Sequence, residues 1–362
     1  MLNFVIWEAS PDLFSIGPLT VRWYGLLFAL GFLIGQQILI KIYKGEGKSE
    51  KHVETLTIYM VIATILGARL GHCLFYEPEV YLNDPLRILK IWEGGLASHG
   101  ATAGILLAIY LYSRKQLDQS YLYVLDRIVI VIALAGCLIR LGNLMNSEII
   151  GKPTDFKGGF IFTRSVSDHI YSYQPLIEDI SYEFNGKDST DVQGRKLSGM
   201  NMSFFISQPD VPAKRVEAFI QESLRKTLED RPGEHHDHLV LPNDYIPFTI
   251  QSTPKGAAVT LNVWGIPRHP AQLYESISSL LLFFFLMYLY SRKKSKTREG
   301  RLFGLFVVIL FSLRFVYEFL KEPQVAFEQQ MTFNMGQLLS IPLIIVGIFI
   351  LLRSFRKHDE IS

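Results

Sequence analysis

"YLYVLDRIVIVIALAGCLIRLGNLMNSEIIG", residues 121–151, joins a long apolar run to a dense polar cluster. From Tyr121 to Ile139 it is apolar except for Asp126 and Arg127. A run of about 20 such residues, wound as a helix, matches the hydrocarbon thickness of a bilayer. Then Arg140, Asn143, Asn146 and Glu148 arrive within nine positions. Polar groups are costly there, so the run predicts a membrane helix that carries chemistry at its far end.

Six further runs of similar length flank it, at about 20–42, 54–76, 95–113, 270–290, 302–321 and 334–353, which makes seven with 121–141. They account for the 49% hydrophobic content of the 362 residues. A formal charge of +2 is too small to argue for a nucleic acid or an acidic substrate as partner. The first 20 residues lack a basic region and contain Glu8 and Asp12, unlike a cleavable signal peptide. Cys73 and Cys137 both fall in apolar runs and read as buried thiols rather than a disulfide.

Lysine and arginine concentrate in alternate loops. The first has Lys41, Lys44, Lys48 and Lys51, and the third Arg114 and Lys115. The fifth has Arg292, Lys293, Lys294, Lys296, Arg298 and Arg301, and the tail Arg353, Arg356 and Lys357. The positive-inside rule then puts the amino terminus outside and the carboxyl terminus inside. The long connection 152–268 lies outside. Within it "SYEFN", "MNMSFFI", "IPFTIQ" and "AAVTLNVW" read as strands, and "VPAKRVEAFIQESLRKTLED" as an amphipathic helix opened by proline. Its "EHHDH" (234–238) follows a polar turn and lacks an i, i+4 histidine pair, so we read a solvated loop rather than a metal site. The expected fold is an all-α polytopic membrane protein of seven transmembrane helices with an inserted extracytoplasmic α+β domain. Its parts are 1–151, 152–268 and 269–362.

This topology gathers the polar residues of the spans at one side. Arg22, Tyr24, Arg69, His72, Ser98, His99, Arg140, Asn143, Asn146, Glu148, His269, Gln272, Glu275, Arg314, Glu318, Asn334 and Gln337 all fall in the outer half or at its boundary. Arg22 alone reads equally well as a snorkelling side chain. Arg314 is set well within its apolar run, and Glu318 is one turn on, placed to pair with it. Arg140 and Asn143 are one turn apart, and Glu148 is about two turns from Arg140, on broadly the same side. Two readings remain: a buried ion-pair network, or a polar cavity for an anion. Arginine's planar fork suits phosphate, and an outer-facing cavity in a bilayer makes a phospholipid the simplest phosphate ester. His99, set among Gly94, Gly95, Gly100 and Gly104, adds a group that titrates near neutral pH.

"RLGNLMNSEIIG" (140–151) resembles the signature of the prolipoprotein diacylglyceryl transferase family. Supporting blocks follow in family order: "RWYG" (22–25), "GARLGHCLFY" (67–76), "GGLASHG" (94–100), "RHPAQLYE" (268–275), "RFVYEFLKEP" (314–323) and "MGQLLSIP" (335–342). The resemblance covers nearly all the membrane part, about two-thirds of the chain, and not the bulk of the outer insertion. Leu310 stands where some members have tyrosine, and "RIVIVI" after Asp126 lacks a proline often found there.

The resemblance implies transfer of a diacylglyceryl group from phosphatidylglycerol to the lipobox cysteine of a prolipoprotein, at the outer face of the bacterial inner membrane. The product is a thioether, and glycerol phosphate leaves. It ties His99, Arg140, Asn143, Glu148, Gly151 and Arg314 to activity, with Tyr24 the matching tyrosine of "RWYG". A cysteine thiol ionises near pH 8.5, so a base must favour its thiolate. His99 is expected in that role or as a headgroup ligand. Arg140 and Arg314 would hold the phosphate, Glu148 and Glu318 orient the arginines, and Asn143 and Asn146 bind polar lipid atoms. No metal or other cofactor is needed. A lipid transporter or scramblase is the competing class, but it would require polar residues to continue into the inner half. A receptor-like scaffold whose outer insertion binds a partner stays open, on the length of that insertion, as an added role rather than a replacement.

Overall fold

The computed structural model describes residues 4–356 except 18, 91–94, 96, 117, 192, 210, 230–237, 243, 323–327, 329 and 330. Among the described residues, six helices are long and apolar enough to cross a membrane. They are α1 (Trp23–Gly45), α2 (Glu50–Phe75), α5 (Tyr121–Met145), α9 (Ala271–Lys293), α10 (Arg301–Tyr317, continued by a 3-10 turn over Glu318–Leu320) and α11 (Met335–Arg356). Each lies on one of the expected runs. At the third run stands α4 (Ser98–Lys115), preceded by the short α3 (Pro78–Asn83). Polar and small residues at the start of α4, with Arg114 and Lys115 at its end, leave it less apolar than the six.

The first run starts later than expected. Residues 20–22 belong to strand β3 (Leu19–Arg22), which pairs with β2 (Asp12–Ile16), and the helix begins only at Trp23. β-branched Thr20 and Val21 favour the extended form, and Gly17 supplies the turn at a φ of 58°. Arg22 ends the strand in an exposed ion pair with Asp12, at 3.3 Å.

The chain divides into two compact units. One comprises Met1–Leu27, Arg140–Ser276 and Arg314–Leu338; the other comprises Phe28–Ile139, Ile277–Leu313 and Leu339–Ser362.

The second of these is helical. Leu39, Tyr43, Val129, Ile130, Leu286 and Phe306 are among the side chains of its main core. Helices α2 and α4 touch through glycine: a Cβ on Gly100 would lie 2.7 Å from Gly71 Cα, and closer still to the Gly67 carbonyl. Such contact lets backbones approach where lipid supplies no hydrophobic drive. Asp126 accepts from the backbone N–H groups of Gly300 (2.8 Å) and Phe303 (2.7 Å), capping α10 from another helix. Arg127 pairs with Glu46 at 2.9 Å, both fully buried, and lies 3.7 Å from the centre of the Tyr123 ring. The two polar residues at the start of the 121–141 run are therefore structural.

The first unit carries the insertion. Strand β6 (Lys196–Ile206) lies between β5 (Ile177–Thr190) and β9 (Gly256–Gly265); β8 (Phe248–Thr253) and β7 (Leu239–Val240) share the other edge of β9. All pairings are antiparallel. Met200, Met202, Phe204 and Ile206 are buried in alternation on β6, as are Ala257, Val259, Leu261 and Val263 on β9. The core is completed by α6 (Arg164–Tyr173) and by α7 (Ala213–Ala218) and α8 (Arg225–Glu229), joined through a π turn over Phe219–Leu224. Val216, Ile220 and Leu224, four residues apart, form the buried stripe of that amphipathic stretch. The four strands and the helix expected in the insertion are all present. Strand β1 (Val5–Trp7), which the sequence did not suggest, pairs in parallel with β4 (Phe160–Phe162). Of the "EHHDH" stretch, 234–237 lie outside the described residues; His238 is buried.

Candidate active site

The site begins where α5 stops. The N–H of Glu148 bonds the carbonyl of Asn143 (2.9 Å) and that of Ser147 the carbonyl of Leu144 (3.1 Å), a Schellman closure with Ser147 left-handed at a φ of 54°. Ile149 follows at 58°, a conformation β-branched residues rarely adopt. Glu148 is thus fixed between two left-handed residues. The sequence expectation that it lies two helical turns past Arg140 is corrected: the helix ends at Met145, and the turn brings the carboxylate back. That carboxylate accepts from Asn143 Nδ2 (2.9 Å) and Asn146 Nδ2 (3.2 Å). Arg140 Nη1 donates to Asn143 Oδ1 at 3.2 Å, and Gln272 on α9 donates to the Glu148 carbonyl.

From Arg140 a chain of alternating charges runs through the same unit. Arg140 Nε meets Glu275 Oε2 at 2.7 Å, and the other oxygen of Glu275 pairs with Lys321. Lys321 also donates to Glu318 at 3.1 Å, and Glu318 faces Arg314 at 3.6 Å, the expected i, i+4 pair. Asn334 Nδ2 donates to the second Glu318 oxygen at 3.0 Å. Each acid has a partner, as burial of charge demands. Exposure rises toward the two ends of the chain: the Lys321 side chain is 3% exposed, Arg140 20% and Arg314 40%. Arg314, held among the described residues by one long ion pair, has the most exposed side chain of the three bases in this chain of charges. With Glu148 the cluster has three acids and three bases, so an incoming anion meets no net charge of its own sign.

Gly151 backs this arrangement. Its N–H bonds the His269 carbonyl at 3.1 Å, and a Cβ here would lie 2.6 Å from His269 Cβ and nearer still to that carbonyl. Only glycine lets the chain approach so closely. Gly151 is also bridged to Lys321; Lys152 N–H bonds the Leu320 carbonyl (2.8 Å) and Glu322 N–H that of Ile150 (3.2 Å). Arg268 pairs with Glu322 at 2.7 Å. Burial holds the His269 pKa below its ordinary value, and its Nδ1 lies 3.2 Å from the Tyr274 hydroxyl. The Tyr24 ring packs on Gly142.

Tyr24, Arg140, Asn143, Asn146, Glu148, Gly151, Arg314 and Glu318 therefore fall in one unit, while His99 belongs to the other. His99 is exposed, stacked on Tyr76 (ring centres 5.7 Å apart) and edge-on to Phe75 (5.5 Å). Tyr76 stacks in turn on His72, whose Nε2 is 3.5 Å from Glu77. Arg69 is committed to structure, buried and donating to the carbonyls of Arg87, Ile88 and Lys90 at 2.7–3.1 Å. Sequence reasoning missed Lys321. Its one signal was a lysine three residues past Glu318, and its second partner lies on a different helix.

A family model described as prolipoprotein diacylglyceryl transferase matches residues 11–353. The phosphatidylglycerol–prolipoprotein diacylglyceryl transferase of Chloroherpeton thalassium is 35% identical over 355 residues, covering 98% of this chain and 96% of that one. The protein of the same description from Tolumonas auensis is 35% identical over 353 residues (98% of each chain), and that from Porphyromonas gingivalis 33% over 360 residues (98% and 96%). The similarity runs through the insertion as well, which corrects the expectation that it stops at the membrane part.

Proposed function

The chain belongs to the prolipoprotein diacylglyceryl transferase family, and from that premise we propose that it moves the diacylglyceryl group of phosphatidylglycerol onto the lipobox cysteine of prolipoproteins. The cysteine sulfur attacks the glyceryl carbon that bears the phosphate. A thioether C–S bond forms, the C–O bond to phosphate breaks, and glycerol phosphate leaves with the bonding electron pair. The thiol proton goes to His99. Arg314 and Arg140 hold the phosphate and meet the charge it gains on departure. Glu318 orients Arg314, and Glu148 acts on Arg140 through Asn143. Asn143 and Asn146 offer polar contacts to the lipid, beside Tyr24 and Gly151.

In this reading seven helices span the bacterial inner membrane, with the amino terminus outside and the reaction at the outer face. The substrates are the bilayer's own phosphatidylglycerol and the secreted prolipoprotein; no nucleic acid takes part. One observation carries the chemistry. The half-open guanidinium of Arg314 ends an otherwise saturated charge chain, which is what a site awaiting one phosphate requires.

The test is glycerol phosphate release by the purified protein in phosphatidylglycerol vesicles, with and without a lipobox peptide. Release that needs the peptide, and falls at least about 100-fold in His99→Ala and in Arg140→Ala, is expected. Release without peptide would point to a lipase. Lipid movement without release would point to a scramblase.

A further inference from the structure

Lys321 is not among the residues to which the sequence reading gave a role, yet it sits at the middle of the charge chain. Its ammonium is shared between Glu275 on α9 and Glu318 in the turn that ends α10. Each of those carboxylates holds one of the two arginines, Glu275 holding Arg140 and Glu318 holding Arg314. Lys321 is thus the charged link that joins the two halves of the phosphate clamp. Its side chain is 3% exposed, so it competes little with the arginines for the ligand itself. Its backbone is fixed as well, by the hydrogen bonds of Leu320 and Glu322 to the strand-like segment at 150–152.

A purely structural role would not need this arrangement. Replacing buried ions by apolar groups is often neutral or stabilising, whereas removing one partner leaves its charge stranded. Here one cation neutralises two acids that both turn toward it. Without it, two carboxylates would face each other across the space now occupied by the ammonium, and like charges that close drive one apart or protonate it. Either response moves the arginine attached to that carboxylate. Two guanidiniums that grip one phosphate must keep a set spacing, and an error of about 1 Å is costly.

We infer that Lys321 is a positioning residue that sets the spacing of Arg140 and Arg314 for a phosphodiester headgroup, an inference that rests on the proposed function. It acts through Glu275 and Glu318 rather than on the lipid.

The experiment measures binding of short-chain phosphatidylglycerol to the full chain in detergent by calorimetry, beside thermal stability of the same samples. Lys321→Met is expected to weaken binding on the order of tenfold, and Lys321→Arg to stay within about threefold of the parent. The double variant Lys321→Met/Glu318→Gln removes the stranded acid and is expected to regain stability while binding stays weak. Three results would overturn the inference: parental affinity in Lys321→Met, an arginine variant no better than the methionine one, or affinity that recovers with stability in the double variant. Thioether formation in the same preparations is scored separately. A parent protein that binds lipid and makes no product sinks the transferase reading alone, and binding still decides the role of Lys321.

Discussion

In the proposed reaction Arg314 takes part in the chemistry and His269 supports it. Among the described residues Arg314 has one ion-pair partner, at 3.6 Å, and the most exposed side chain of the three bases. Arg314→Lys keeps the charge but loses the planar fork, so kcat/KM for transfer is expected to fall about 10- to 100-fold with little change in stability. Initial rates across a phosphatidylglycerol series would check it, and parental kcat/KM would contradict the role. His269 is a supporting residue whose pKa burial holds below its ordinary 6.5. Between those two values the unfolded chain binds more protons than the folded one. Its contribution to stability is therefore complete above about pH 6.5 and is lost as pH falls through the lowered value. His269→Gln should flatten that part of the melting temperature against pH; an unchanged slope would contradict it. At this scale the sequence revealed pairs on one helix, such as Arg314 with Glu318, through their i, i+4 spacing. It could not reveal Lys321 with Glu275, because no spacing rule links α9 to the segment after α10.

Among the elements, the end of α5 does most to build the site. A helix running on through Glu148 would turn its carboxylate away from Asn143; the left-handed pair Ser147 and Ile149 turns it back. A β-branched residue in that region costs about 1–3 kcal/mol, strain that persists where the surroundings enforce it. Ile149→Gly removes the strain and also the restraint. The variant is expected to be no less stable than the parent and at least about fivefold slower in transfer, as Glu148 loses its fixed place. A melting curve paired with an initial rate would check this, and an unaltered rate would contradict the restraint. Helices were legible from their apolar length alone, so all seven expected runs hold one. Their ends were not. The turn after Met145 uses serine and isoleucine where glycine would have announced it, and β3 at 19–22 is apolar enough to pass for the start of a membrane run.

For the molecule as a whole, the sequence order and the compact units do not coincide. Residues at both ends of the insertion, together with 1–27 and 314–338, belong to one unit, and most of the long-helix residues to the other. The interleaving was invisible in the sequence, since hydropathy reports length and polarity but not which ends cluster. The polar residues of α5, α9 and α10 were expected on one side of the spans, and the ion pairs join them with charges that alternate. In the proposed function this cluster serves transfer of a lipid group to a thiol. The most direct test is the intact mass of a lipobox peptide after incubation with the purified protein and phosphatidylglycerol of one acyl composition. The expected product is a peptide heavier by one diacylglyceryl group, attached at cysteine, absent when that cysteine is serine and absent with Arg140→Ala. A well-folded parent protein that leaves the peptide mass unchanged would contradict it.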